Sequence, residues 1–374
     1  MSSREDLRAN SEWYRGKETL LPPDSITSPG DDSHFSTEQF LKARWRQITP
    51  KLAFGARTHA EWLAWHAALS AKTRELLRLP VEDPVPLRAR TLEIVQDDGF
   101  RREKVVFDTM ADFSVPAWLL IPDDAAHERR PAILALHGHP FGKLAVVGLP
   151  ETLDQRMRGR AYNDDYARQF AKRGYVVLAP DARGFGELGG GKNTCQWLAR
   201  NAFLLGYTLK GLRVHDAFRA LDYLQSRSDV DPERIGCVGL SWGGAHTAYT
   251  AALDPRVKAA IVSGMFSTYG DMFLQRDNCI CHYVPDMLQW SEYTDVVGLI
   301  APRLLLLEVG DRDPLLTPEV VDAEYARLQE VYRLTGAPDN VALDRFHGHH
   351  QWHGELAYSW MDRALAGAGA SIAS

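Results

Sequence analysis

Three stretches of this chain carry residues that could act on one another. Gly239-Leu240-Ser241-Trp242-Gly243 sets a serine between glycines, after the apolar run Ile235 to Leu240 and before a helix-forming run, Ala245 to Leu253, closed by Asp254-Pro255. A serine in Gly-x-Ser-x-Gly sits on a sharp strand-to-helix turn, where the glycines remove Cβ atoms that would clash and Oγ stands exposed above a sheet. The pattern reads as a nucleophile elbow. A hydroxyl is a weak nucleophile near neutral pH, so it needs a base, a group that orients the base, and two donors for the oxyanion that forms.

The acid and then the base of such an elbow come later in the chain, in loops after late strands. Gly310-Asp311-Arg312-Asp313-Pro314 follows the apolar run Leu304 to Val309. Asp313 is preferred over Asp311, since it lies far enough past the strand to turn inward and Pro314 fixes the turn, whereas Asp beside Gly is an ordinary turn former. The base lies in Phe346-His347-Gly348-His349-His350-Gln351-Trp352-His353-Gly354, where spacing does not choose among His347, His349 and His350. A metal reading of these histidines fails because nothing in their spacing picks a ligand set. The oxyanion donors are the backbone N–H of Trp242 and that of His139, in the loop His137-Gly138-His139-Pro140-Phe141, where Pro140 has no N–H to offer. His137 reads as a hydrogen-bonded support for that loop, and Arg183 in Asp181-Ala182-Arg183-Gly184-Phe185-Gly186 as a buttress of the site.

Cys279-Ile280-Cys281-His282 invites a zinc or redox reading. Two cysteines one residue apart lack the Cys-x-x-Cys spacing, and no second pair closes a set of four ligands, so burial as small apolar groups is expected. No metal and no cofactor are expected.

These residues need a sheet to hold them. Residues 91–95, 103–107 and 115–121 alternate with period two and read as antiparallel strands at one edge. From there the chain alternates strand and helix, with near-continuous apolar runs at 132–136, 175–179, 235–240, 259–263, 304–309 and 341–346, as strands covered on both faces require. The expected architecture is α/β, a mostly parallel central sheet with helices on both faces. Asn163 is expected to cap a helix carrying Tyr166 and Phe170. Residues 1–86 read as an irregular arm followed by a helical extension, whose Trp62 and Trp65 share a face that packs in a core or forms a self-association contact; 87–374 is the catalytic domain. A small cap insertion is placed at about 266–298, rich in aromatic residues, over the serine.

Lys plus Arg number 43 against 49 Asp plus Glu, for a formal net charge of −6, which gives no reason to expect nucleic acid or an anionic membrane as a partner. The start of the chain shows no apolar signal region and no run is long enough to span a membrane. With four cysteines in 374 residues, a disulfide framework is not expected and a cytoplasmic location is.

Taken in order, His137-Gly138-His139, Asp181 to Gly186, Gly239 to Gly244, Gly310 to Pro314 and His349-His350-Gln351-Trp352-His353-Gly354-Glu355 resemble the α/β-hydrolases, from about residue 90 to the C-terminus. Within them the chain is similar to the branch of dienelactone hydrolases and bacterial acetyl xylan esterase-like proteins. The resemblance implies the α/β-hydrolase fold, Asp313 as acid and His350 as base, from a Gly-Gly-His-x-aromatic-x-Gly pattern in which His349 replaces the second glycine. It also implies a cap segment at Cys279 to Pro285. Trp242 stands where the family more often has a small residue, and its indole is expected to narrow the acyl pocket. The implied activity is hydrolysis of carboxylic esters with small, acetyl-type acyl groups through Ser241, Asp313 and His350, with Phe141, Arg183, Tyr283 and Trp290 as substrate contacts. A lactone hydrolase, a peptidase of the same fold, and a ligand-binding protein on a hydrolase scaffold are the alternatives.

Overall fold

The computed structural model describes residues 36–81, 85–123, 129–139, 142–276 and 278–365. The irregular arm expected over the first 34 residues, together with Pro140 and Phe141, lies outside them. The chain divides into two compact units, Met1–Ile48 and Thr49–Ser374. The first contributes helix α1 (Thr37–Gln47), whose start is capped by the Ser36 side chain accepting from the Gln39 N–H.

The second unit is built on one sheet with the strand order β1-β2-β3-β5-β4-β6-β7-β8-β9. Strands β1 (Arg90–Gln96), β2 (Phe100–Met110) and β3 (Phe113–Pro122) form an antiparallel meander that joins β5 (Val176–Pro180) antiparallel. From β5 onward, β4 (Arg130–Leu136), β6 (Val230–Leu240), β7 (Val257–Ser263), β8 (Leu304–Gly310) and β9 (Val341–Phe346) pair in parallel. All nine strands fall where the apolar runs place them. The near-continuous runs arise because both faces are covered: Leu134 and Leu136 enter one core cluster while Ile133 and Ala135 enter the other.

The crossovers carry α3 (Leu153–Tyr162), α4 (Tyr166–Ala171), α5 (Cys195–Leu204), α6 (Leu209–Gln225), α7 (Trp242–Leu253), α8 (Tyr293–Gly298) and α9 (Pro318–Leu334), and α10 (Ala357–Leu365) follows the last strand. Asn163 does not start a helix. It ends α3 in the left-handed conformation, φ 50°, which asparagine tolerates, and its N–H bonds the Gly159 carbonyl.

Ahead of the sheet, helix α2 (His59–Leu77) opens with the expected capping box between Thr58 and Glu61. Trp62, Trp65, Leu69 and Leu77 are buried in the same core cluster as the sheet residues, and the Trp65 indole N–H donates to the Leu52 carbonyl at 2.8 Å. The change of period near residue 87 therefore marks the start of the sheet, while the compact unit begins at Thr49. With both tryptophans less than a tenth exposed, this helix offers no aromatic face for self-association.

The stretch 266–298 is only partly a cap. Phe266, Tyr269, Met272 and Tyr293 are buried in the main core, while its middle carries Asn278 and His282 to the cavity above the sheet. Because α2 belongs to the core, Trp65→Ala should destabilise the protein by about 3–5 kcal/mol in a denaturant melt. A loss below about 1 kcal/mol would show that α2 packs on the body without supporting it.

Candidate active site

Ser241 occupies a backbone conformation that few side chains adopt. Its φ is 61° and ψ −126°, between the end of β6 and the start of α7, and its N–H donates to the Ser263 carbonyl at 2.8 Å. A Cβ on Gly239 would run into the Gly243 and Leu136 carbonyl oxygens, and one on Gly243 into Leu136 and His137. Glycine at both positions lets β4, β6 and α7 close on one another, with the strain concentrated at the serine.

Ser241 lines a cavity of about 340 Å³ at the C-terminal edge of the parallel strands, where open α/β sheets carry their sites. Gly138, His139, Tyr162, Met265, Asn278, His282 and His350 also line it. His350 Nδ1 lies 2.7 Å from Asp313 Oδ2, and the second carboxylate oxygen accepts the Leu315 N–H at 2.9 Å. Donation of Nδ1–H to the carboxylate leaves Nε2 without a proton. That Nε2 is buried and makes no hydrogen bond among the described residues.

The other histidines are sorted by what they touch. His347 pairs with Asp311 at 2.9 Å on the surface, where its side chain is 68% exposed, and His349 is exposed as well. His353 pairs with Asp344 at 2.7 Å. Behind it Glu308, fully buried, accepts the N–H groups of Gly354 at 2.9 Å and His353 at 3.4 Å, which ties down the loop that presents His350. Burial pushes the Glu308 carboxyl up to about 7.

The loop after β4 is held at both ends. His137 donates from Nδ1 to the Gly138 carbonyl at 2.8 Å, and its Nε2 accepts the Ala182 N–H at 3.0 Å. This use of both nitrogens requires a neutral ring, and burial pushes His137 down to about 4. Further on, Asp181 accepts the Lys143 N–H at 2.8 Å and pairs with its ammonium at 2.5 Å. His139 lies between these anchors.

Several expected substrate contacts are placed elsewhere. Arg183 bonds Asp216 through Nε at 2.7 Å and Nη2 at 3.0 Å and stacks on Phe113, so its charge is spent away from the Ser241 cavity. Trp290 is covered by the ammonium groups of Lys51 and Lys72. Tyr283 donates to the Phe273 carbonyl at 3.0 Å and lines a neighbouring groove. The indole of Trp242 is 2% exposed and packs against His137, His139, Phe185, His246 and Arg213 beneath the β4 loop. It does not line the Ser241 cavity, because these contacts take it up beneath the loop. In their place Arg158 and Tyr162, one helical turn apart on α3, and Asp164 line the cavity, together with Asn278 and His282. Burial pushes Asp164 up to about 6. The spacing of Arg158 and Tyr162 was the available signal, but no local pattern told which face of α3 turns inward.

The family model of the abhydrolase family matches residues 24–369. The chain belongs to the abhydrolase family. This abhydrolase is 32% identical over 276 residues to YtaP of Bacillus subtilis (strain 168), a proposed hydrolase, covering 72% of this chain and 89% of that one. Its fold is shared with a proposed acetyl xylan esterase of Bacteroides fragilis NCTC 9343 (TM-score 0.73, 23% identity, 87% of each chain). It is also shared with a glucuronoyl esterase of Solibacter usitatus (TM-score 0.64, 16% identity, 86% of this chain and all of that one).

The raised Glu308 carboxyl makes stability depend on pH. An unfolded glutamate titrates near ~4.3, so between there and about 7 the folded abhydrolase holds a proton that the unfolded chain has released. Stability contributed by protonated Glu308 is therefore complete below ~4.3 and lost as pH rises through about 7. Glu308→Gln should gain on the wild type as pH rises from ~5 to ~8, by an amount on the order of 3 kcal/mol at most. Melting curves of both proteins across that range check this, and a difference independent of pH would refute it.

Proposed function

We propose that this abhydrolase is a serine hydrolase of carboxylic esters, with Ser241 as nucleophile, His350 as base and Asp313 as its orienting acid. The observation that carries the reading is the Asp313–His350 pair, whose histidine lines the same cavity as Ser241 and whose Nε2 makes no hydrogen bond among the described residues. Ser241 Oγ attacks the ester carbonyl as its proton passes to His350 Nε2. The imidazolium that forms is stabilised by Asp313, and the oxyanion is held by the N–H groups of Trp242 and His139. Collapse breaks the bond to the alcohol, which leaves with the proton from His350. Water, activated by the same nitrogen, then releases the carboxylate and restores the serine.

The cavity supports a small acyl group and a polar alcohol. Its volume of about 340 Å³ is at the low end for ligand sites, and Arg158, Asp164, Asn278 and His282 offer the donors and acceptors a hydroxylated alcohol such as a sugar would use. The names of the structural relatives, an acetyl xylan esterase and a glucuronoyl esterase, belong to the same chemical class. Among the described residues no helix is long and apolar enough to cross a membrane, and the four cysteines are unpaired, which supports a reducing compartment such as the cytoplasm.

Ser241→Ala should lower turnover of 4-nitrophenyl acetate by on the order of 10⁴ to 10⁶ and abolish labelling by a fluorophosphonate probe. A variant that keeps most of its activity would remove Ser241 from the reaction. Asp313→Asn should cost on the order of 10⁴, since it imposes the wrong tautomer on His350, while Asp311→Asn stays near wild type. His350→Ala should match the loss at Ser241 and His349→Ala should not; the reverse pattern would exchange their roles.

A further inference from the structure

Beside the Ser241 cavity the fold gathers three cysteines and a histidine from three separate segments. Cys195 is the first residue of α5, Cys279 and Cys281 belong to the stretch after β7, and His139 follows β4. Their four ligand atoms all lie within 4.8 Å of one another, and Cys281 Sγ is 3.5 Å from His139 Nε2. Zinc bonds of about 2.3 Å to sulfur and 2.0–2.1 Å to nitrogen in a tetrahedron place nitrogen and sulfur about 3.6 Å apart and sulfurs about 3.8 Å apart. The observed set is within about 1 Å of that frame, and it has the Cys₃His composition of closed structural sites.

The electrostatic setting matches. Three thiolates and a divalent cation carry a net charge of −1, which a buried site tolerates only beside positive charge. Helix α6 supplies it. Arg213, fully buried, lies with Nη2 3.4 Å from Cys195 Sγ, and Lys210, 4% exposed, sits three residues earlier on the same helix. Among the described residues neither cation has a carboxylate within ion-pair distance, although nearly every other buried lysine or arginine would be expected to have one. Cys195 also sits at a helix N-terminus, which favours the thiolate.

We propose that Cys195, Cys279, Cys281 and His139 bind one zinc ion in a closed tetrahedral site. All four positions are filled by protein, so the ion is structural and takes no water or substrate. It pins the loop after β4 to α5 and to the stretch after β7, and holds His139 at the edge of the Ser241 cavity. Cys237 has no part in it, being buried on β6 with its thiol bonded to Thr247.

The test is metal content and cobalt spectroscopy of the full chain kept reduced. Elemental analysis of protein purified without chelator should give about one zinc per chain. Cobalt(II) added to the reduced, metal-free protein should give visible d–d bands and near-ultraviolet thiolate charge-transfer bands, saturating at one equivalent and bleached by zinc. Cys195→Ser and Cys281→Ser should lose these bands and Cys237→Ser should keep them. Absence of cobalt bands from reduced wild-type protein overturns the proposal even where a variant fails to fold, as does a thiol titration of the freshly purified, unfolded protein that finds two of the four cysteines in a disulfide. None of these readouts depends on hydrolytic activity.

Discussion

The architecture of this protein depends on one close approach of backbone to backbone. At the end of β6 the chain reverses into α7 so tightly that the carbonyls of Leu136 and Gly243 occupy the space a side chain would need at Gly239 and Gly243. The strain falls on Ser241, at φ 61°, and is held there by its hydrogen bond to the Ser263 carbonyl on β7. That bond and the parallel pairing of β4, β6 and β7 fix the serine at the centre of the sheet's C-terminal edge. Loops leaving β4, β7, β8 and β9 then converge on it because parallel strands send their following loops to the same side.

Exposure sorts the histidines that follow the last strand. Three aspartate–histidine pairs lie along the last two strands, with similar lengths of 2.7 to 2.9 Å. The pair Asp311–His347 lies in water, where screening leaves it little effect. Asp313–His350 is withdrawn from solvent, so the carboxylate acts on the imidazole through a medium of low polarity and fixes its tautomer. His353 and Asp344, backed by Glu308, hold the intervening loop in place. Exposure thus sets the first pair apart, and the backbone and carboxylate neighbours distinguish the other two.

The side of the cavity formed by the β4 loop is supported from beneath by aromatic and sulfur groups. Trp242 packs under His137 and His139, and Arg213 lies on its ring while reaching Cys195 and the Arg183 carbonyl. Trp242 therefore commits its side chain to the framework of that loop. Its size serves packing, and the polar lining of the Ser241 cavity comes from α3, Asp164 and the stretch after β7.

Local pattern was enough for much of this protein. Every strand, the strained strand-to-helix turn at Ser241 and the support of the β4 loop by His137 were legible, because apolar periodicity and glycine at a strained turn act over a few neighbouring residues. Separation along the chain hid the rest. Which histidine meets Asp313, where the indole of Trp242 turns, that Arg183 is consumed by Asp216, and that α2 joins the core are facts about packing between distant segments. The same holds for Cys195 and His139, which lie 84 and 140 positions or more from Cys279 and become its neighbours only when the sheet brings the exits of β4, β5 and β7 to one edge. Spacing in sequence sets what a residue can do, and only the folded sheet decides what it can reach.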